Sequence, residues 1–247
     1  MRRLSFLSLV FVLLALPAYA QKNKPWTDWT DKEAEKIMND SGWGQTQSEG
    51  GSQTASQPAQ TSAITSTTLA RREDSNTSAA AKVESGERKE TPSLHVRVRF
   101  MSAKPIREAF VRMIELQGAP PEKVAQIKPF IDYDFSNYVV VTINMDGDDR
   151  RKMGVILQEL AKTDPASLKA VTYLERKDGK RLELMEYRAP TDDGLGAKFV
   201  FARALDGAPF LDANSGEVRF VTELGKLIKV NRRFKVADMM YEGKLEY

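Results

Sequence analysis

The sequence has no cysteine and a single histidine, His95. Without thiols there is no disulfide framework, thiolate zinc site, cysteine nucleophile or iron–sulfur ligation. With one imidazole, two-histidine metal motifs are excluded, and a serine–histidine dyad has only one seat. Tryptophan is absent from residues 44–247; Trp26, Trp29 and Trp43 all precede that stretch. Long apolar runs are equally scarce. The run from Leu4 to Leu16 falls short of the ~20 residues a membrane-spanning helix needs, and no later stretch approaches that length. No cofactor is implied by any motif.

What is present begins with export. Arg2-Arg3, the apolar run, Pro17 and Ala18-Tyr19-Ala20 are the charged start, hydrophobic centre and cleavage site of a secretory signal peptide over residues 1–20. The mature chain is expected from Gln21, soluble and periplasmic or secreted. Of 37 basic and 34 acidic residues, the signal removes Arg2 and Arg3 and no acid. The remaining chain is near neutral, so global charge gives no argument for nucleic acid. With disulfides available in an oxidising compartment and unused, packing must hold the fold.

Residues 44–92 are rich in Ser, Thr and Gln, with no aromatic residue and only Ile64, Leu69 and Val83 as large aliphatics. Such a stretch cannot bury enough apolar surface to offset the entropy of ordering its backbone, so a disordered linker is expected. At about 5–6 Å times the square root of its length, its ends would lie on the order of 40 Å apart. The flanking regions, a tryptophan-rich segment 21–43 and a domain 93–247, would then act independently.

Within 93–247, Leu94, Val96, Val98 and Phe100 alternate with His95, Arg97 and Arg99, the period of a half-buried strand. Ser102 is placed to cap a helix carrying Ile106, Phe110, Met113 and Ile114 and ending at Gly118 with Pro120-Pro121. A short helix fits Glu122 to Phe130, and a β-branched strand fits Tyr138 to Met145. Asp148 or Asp149 would cap a helix with Met153, Ile156, Leu157 and Leu160 inward. From Lys169 the pattern turns to strands: a hairpin at Asp178-Gly179, then Lys198 to Arg203, Val218 to Leu224 and Leu227 to Val236, with turns at Asp206-Gly207 and Asn214-Ser215-Gly216. A three-residue loop Lys177-Asp178-Gly179 sets Leu174 against Leu182, whereas a two-residue loop would mix the hairpin's two faces. Tyr241–Tyr247 fits either a last strand or an ordered tail. The expectation is an α+β fold: an antiparallel sheet with two or three helices in the first half of the domain.

In the tryptophan segment, Thr30 and Glu33 form a capping box that predicts a helix from Asp31 to Asn39 or Asp40. A helix this short is marginal in water, and exposed tryptophans beside it are unfavourable, so it must dock. Two targets are open: its own C-terminal domain in cis, or an envelope protein gripped by Trp26, Trp29, Ile37 and Trp43.

The block PWTDWTDKEAEKIMNDSGWGQT (Pro25–Thr46), with TYLERKDGKRLELMEY (Thr172–Tyr187), DGLGAKFVFAR (Asp193–Arg203) and FKVADMMYEGKLEY (Phe234–Tyr247), resembles a family of uncharacterised exported bacterial proteins. In that family PWTxWT and NDSxW precede a variable linker and a domain ending in GKLEY. Gly42 departs from the family's usual NDSPW. The resemblance implies export and this architecture, and brings no activity, cofactor or catalytic residue.

Candidate chemistry is sparse. Asp146, Asp148 and Asp149, with Asp132 and Asp134 nearby, could suggest a hard-cation site, but a strand-to-helix turn needs the same residues. Gly194-Leu195-Gly196 lacks the residues of a phosphate loop. His95 has no nucleophile motif beside it in sequence and reads as an exposed strand histidine. Arg97 and Arg99, with Lys229, Arg233 and Lys235, would form an anion-binding patch if their faces coincided in one sheet. The expected function is a non-enzymatic interaction or assembly protein of the envelope that docks through its tryptophans. The alternatives are a metal-dependent hydrolase of unrecognised type using Asp residues, or binding of an anionic polymer or lipid through the basic strands.

Overall fold

The computed structural model describes residues 24–49, 94–148, 150–225 and 228–247. The expected signal peptide 1–20 lies outside them, as does most of the expected linker. The chain is α+β. Its N-terminal part holds α1 (Asp31–Asn39) and β1 (Gly44–Glu49). After residues 50–93 come β2 (Leu94–Phe100), α2 (Lys104–Leu116), α3 (Pro121–Ile127), β3 (Tyr138–Gly147), α4 (Arg150–Lys162) and α5 (Pro165–Lys169). Then follow β4 (Tyr173–Arg176), β5 (Arg181–Glu183), β6 (Glu186–Arg188), β7 (Ala197–Ala202), β8 (Ala204–Leu205), β9 (Ala208–Pro209), β10 (Glu217–Leu224), β11 (Ile228–Lys235), β12 (Met240–Tyr241) and β13 (Lys244–Leu245). Among the described residues no helix is long and apolar enough to cross a membrane.

Alternation along the strands builds two antiparallel sheets, ordered β1-β2-β3-β7-β6 and β11-β10-β4-β5. Their inner faces meet through aromatic edges: Phe100 on Phe234 at 4.9 Å, and Phe199 and Phe201 on Phe220 at 5.5 and 6.2 Å. The hairpin β4–β5 has the bulged register, with Leu174 opposite Leu182 and Gly179 at φ 84°. The last residues form a second small hairpin, β12–β13, turned by Glu242 and Gly243 at positive φ.

The helices depart from expectation in detail. Ala103, not Ser102, precedes α2; the Ser102 hydroxyl instead accepts from the Val140 amide at 3.1 Å, tying the helix entrance to β3. The second helix ends at Ile127 and continues as a 3-10 turn, Lys128–Asp132, because Pro129 has no amide to donate. On α4, Ile156 and Leu160 are buried but Leu157 is 43% exposed, so the apolar stripe is narrower than its spacing implied. A short helix α5, capped by the Asp164 carboxylate on the Ala166 and Ser167 amides, was not foreseen.

The largest correction concerns residues 44–92. Gly44–Glu49 are a strand, not the start of a linker, and β1 pairs with β2 so that Glu49 lies opposite Leu94. The segment 50–93 therefore joins neighbouring strands of one hairpin, and its ends are a single ladder step apart rather than tens of ångströms. β1 has no apolar side chain to bury. Its inward glutamines bond the backbone of the facing sheet: Gln45 Nε2 donates to the Arg233 carbonyl at 2.7 Å, Gln47 Nε2 to that of Lys229 at 3.2 Å. Arg232 Nε donates to Gln45 Oε1 at 3.1 Å.

The tryptophan segment completes this closure. The capping box forms as expected, with Thr30 Oγ1 accepting from the Glu33 amide and Glu33 returning the bond. Hydrogen bonds from Lys24 and Thr30 hold the Glu33 carboxyl down at about 2. α1 lies against α2, where Arg112 Nε donates to the Trp29 carbonyl at 2.8 Å. The Trp43 indole donates to the Glu246 carbonyl at 2.8 Å and meets Tyr241 edge-on at 6.1 Å. A Cβ at Gly42 would stand 2.1 Å from the Asp238 carbonyl oxygen, so a side chain here requires the backbone at Asp238 to shift. The domain is thus not 93–247 alone; residues 24–49 supply its edge strand and a covering helix.

Two outcomes follow. Replacing residues 50–93 by a six-residue Gly-Ser turn should preserve the fold and raise the unfolding free energy by about 2 kcal/mol, read from urea denaturation, because a shorter loop closes at lower entropic cost. Loss of folding would mean the segment makes structural contacts. Trp43→Phe, which strands the Glu246 carbonyl, should lower stability by about 1–3 kcal/mol in the same measurement.

Candidate functional site: an aromatic groove on the first sheet

The residues singled out from sequence do not converge. Trp29 and Trp43 are 7% and 9% exposed and belong to the core, with Trp26 and Ile37 partly buried against it. Anchors packed in cis are not available to a separate partner, and the trans-docking expectation is corrected accordingly. Arg97 and Arg99 lie on the outer face of the first sheet, while Lys229, Arg233 and Lys235 lie on the outer face of the second, so these strands form no common basic patch. Most of these cations also have partners. Arg97 pairs with Asp146 at 2.9 Å, Lys229 with Glu223 at 3.0 Å and Arg233 with Glu217 at 3.7 Å. Arg99 is buried and donates to the Met38 carbonyl and to Asn39, clamping the end of α1; burial lowers its pKa to about 10.

The carboxylates are equally dispersed. Asp146 is engaged by Arg97, Asp132 lies 4.0 Å from the Lys104 ammonium, and Asp134 accepts from the Ser136 amide and hydroxyl. Asp148 is exposed, and Asp149 lies outside the described residues. Among the described residues no three such side chains are grouped to hold a metal. His95 is half-buried rather than exposed, with Ser48 Oγ 3.0 Å from its Nδ1 and Asp146 its neighbour in the ladder. In that row the Asp146 carboxylate is engaged by Arg97 through Oδ2 at 2.9 Å.

A different part of the molecule has the form of a site. The outer face of the first sheet is covered by α1 and α2 over β1–β3 and left open toward β7 and β6. There Val140 and Val200 make the floor of a groove of about 670 Å³, walled by Met101, Phe130, Tyr133, Phe135, Tyr138, Met185 and Leu195, with Glu186, Arg188 and Lys198 at its edge. Tyr133 is 61% exposed, Met185 49% and Tyr138 45%. Methionine and aromatic residues meeting in one hollow are the composition of a binding surface rather than of scattered surface chance.

The aromatic wall comes from the stretch FIDYDFSNY, residues 130–138, and is held stiffly. Tyr133 and Phe130 both pack on Phe135, at 4.8 and 6.3 Å, and Phe110 of α2 meets Phe130 at 6.4 Å. Buried Arg107 pins the loop from behind: its Nε donates to the Ile131 carbonyl at 2.9 Å, its Nη1 to Ser102, and its guanidinium lies 4.8 Å from the Phe135 ring. Opposite, Leu195 is presented between Gly194 and Gly196, both at positive φ; a Cβ on Gly196 would meet the Ile143 carbonyl at 2.2 Å. The rim charges are already paired, Arg188 with Glu186 at 2.8 Å and Lys198 with Asp193 at 2.7 Å. An occupant is therefore selected by apolar shape more than by net charge. The crowding of four aromatics into nine residues is the sequence signal for this wall.

Behind α2, Glu108 is 2% exposed and accepts from the Tyr241 hydroxyl at 2.5 Å, with Lys104 Nζ 3.9 Å away. Burial pushes the Glu108 carboxyl above its ordinary value, and burial together with this bond raises the Tyr241 phenol.

No family model and no curated protein matches the chain. A solved structure of a protein of unknown function from Burkholderia pseudomallei K96243 shares 10% identity with it, at a TM-score of 0.35, over 56% of this chain and 72% of that one.

The raised carboxyl has a pH consequence. The folded state holds the Glu108 proton more tightly than the unfolded chain does, so its contribution is full below 4.5 and is lost as pH rises through the folded value. Lys104, Arg107, Tyr241 and Glu242 are the charged or titratable groups around it. Glu108→Gln keeps an acceptor for Tyr241 and removes the titration. Its urea midpoint should gain on the parent's between pH 4 and pH 8; a constant difference would refute the assignment.

Proposed function

We propose that the protein is an exported, non-enzymatic binding protein of the bacterial envelope, and that the aromatic groove receives an extended apolar segment of a partner protein. The observation that carries this reading is the coincidence in one hollow of Tyr133, Tyr138 and Met185, the three of the exposed large hydrophobic side chains that line it. Export rests on the N-terminal leader sequence of residues 1–20.

A protein segment fits better than a sugar. The floor is Val140 and Val200, which offer no hydrogen bonds, and the neighbouring β6 is a three-residue strand at the edge of the sheet. An extended peptide laid along that edge could continue the ladder while placing alternate side chains in the hollow. Methionines and packed aromatic rings suit varied apolar side chains, as an assembly surface requires.

A library of displayed peptides selected on the chain from Gln21 to Tyr247 tests this. Selected peptides should carry apolar residues at alternate positions, and Tyr133→Ala with Met185→Ala should weaken them at least tenfold in a fluorescence-polarisation titration, the loss typical of central contact residues. Peptides indifferent to both changes would place recognition elsewhere.

A further inference from the structure

The outer face of the second sheet carries a second hollow, of about 490 Å³, where the β4–β5 turn approaches the turn before β10. It is lined by Arg176, Lys177, Arg219, Arg233 and Lys235 against two carboxylates, Glu175 and Glu217, with Gly216 between them. We propose that this hollow seats the phosphate headgroups of an anionic phospholipid surface. The residues differ from the basic patch expected from sequence, since the hollow has Arg176, Lys177 and Arg219 in place of Arg97, Arg99 and Lys229.

Three observations point there. First, the cations outnumber the carboxylates, and the strongest internal pairs leave the excess unneutralised. Glu175 is taken up by Arg219, whose hydrogen bond holds the carboxyl below its usual range, and Arg176 is held by Asp178. Arg233 is 64% exposed and only 3.7 Å from Glu217. Neither Lys177 nor Lys235 has an ion pair among the described residues. Second, the cations sit at the end of β4, on β10 and on β11, neighbouring strands of one sheet. At about 4.8 Å per strand they spread over roughly 10 Å, wider than one phosphate and suited to several headgroups of a surface. Third, Gly216, at φ 71°, adds no side chain to the lining, and a Cβ there would stand 3.5 Å from Lys177 Cδ. The nearby backbone is already used, with the Lys177 amide bonded to the Glu217 carbonyl and the Val236 amide to that of Gly216. Side-chain cations alone then do the recognising, which suits a surface of repeated charge rather than a single oriented ligand.

This face lies on the opposite side of the sandwich from the aromatic groove. A molecule resting on a membrane through the second sheet would hold the groove outward, and the proposal stands or falls independently of what the groove binds.

The test is co-sedimentation of the chain from Gln21 to Tyr247 with vesicles of phosphatidylcholine, alone or with phosphatidylglycerol. Binding should require the anionic lipid and weaken steeply with sodium chloride. Lys177→Gln with Lys235→Gln should reduce partitioning about thirtyfold, from roughly a fivefold loss per surface cation. Lys32→Gln with Lys36→Gln, an equal charge change on α1 across the molecule, should leave it near the parent. Equal binding to both vesicle types, no binding, or a Lys177/Lys235 variant that matches the parent would overturn the proposal. Displacement by inorganic phosphate beyond that by chloride of equal ionic strength would overturn it in favour of a free-phosphate site.

Discussion

The pairing of β1 with β2, locked by the Trp43 indole on the Glu246 carbonyl, is the contact on which the rest of the molecule depends. It joins residues two hundred positions apart in the chain. It also sets an entropic cost, since closing residues 50–93 into a hairpin loop must be offset by what the returning segment buries. Trp29, Ala34, Met38 and Trp43 supply that burial, and Arg99 and Arg112 fasten the helix by its backbone carbonyls. α1 and α2 in turn cover half of the first sheet, which leaves the other half as the groove.

Rigidity and exposure are combined in that groove. Its wall is a loop of irregular structure, yet Arg107 satisfies the carbonyls of Ile131 and Ser102 that such a loop would otherwise bury unpaired. Burial lowers the Arg107 pKa, and the charge is retained because carbonyls and the Phe135 face surround it. The apolar side chains can then remain exposed without the loop collapsing over them. On the far side, the second sheet presents mostly charged and polar side chains outward, with Tyr173 and Val221 among them. The two faces differ in chemistry because each strand sends alternate residues to opposite sides, and only the first sheet's outer face is partly covered by helices.

Much of the local structure was legible. The capping box at Thr30 and Glu33, the alternation in β2, and the bulged turn at Gly179 each depend on residues within a few positions of one another, and the structure follows them. β1 was illegible for a definite reason: hydrophobic alternation marks a strand only when its inner side chains are hydrocarbon, and Gln45 and Gln47 instead bond carbonyls of β11. Leu157 was misassigned inward because helical spacing gives a face but not its width. The groove went unread because its wall comes from a loop and its floor from two strands distant in sequence.

Composition and local pattern alone determined that the chain is α+β, where most strands and helices begin, and that the tryptophans had to be covered. What covers them, which strands share a sheet, and which exposed side chains gather into a hollow were decided only by tertiary structure. Backbone preferences act over a few residues, whereas the contacts that decided these matters, Trp43 to Glu246, Gln45 to Arg233 and Arg107 to Ile131, join chain segments whose proximity exists only once the sheets have packed.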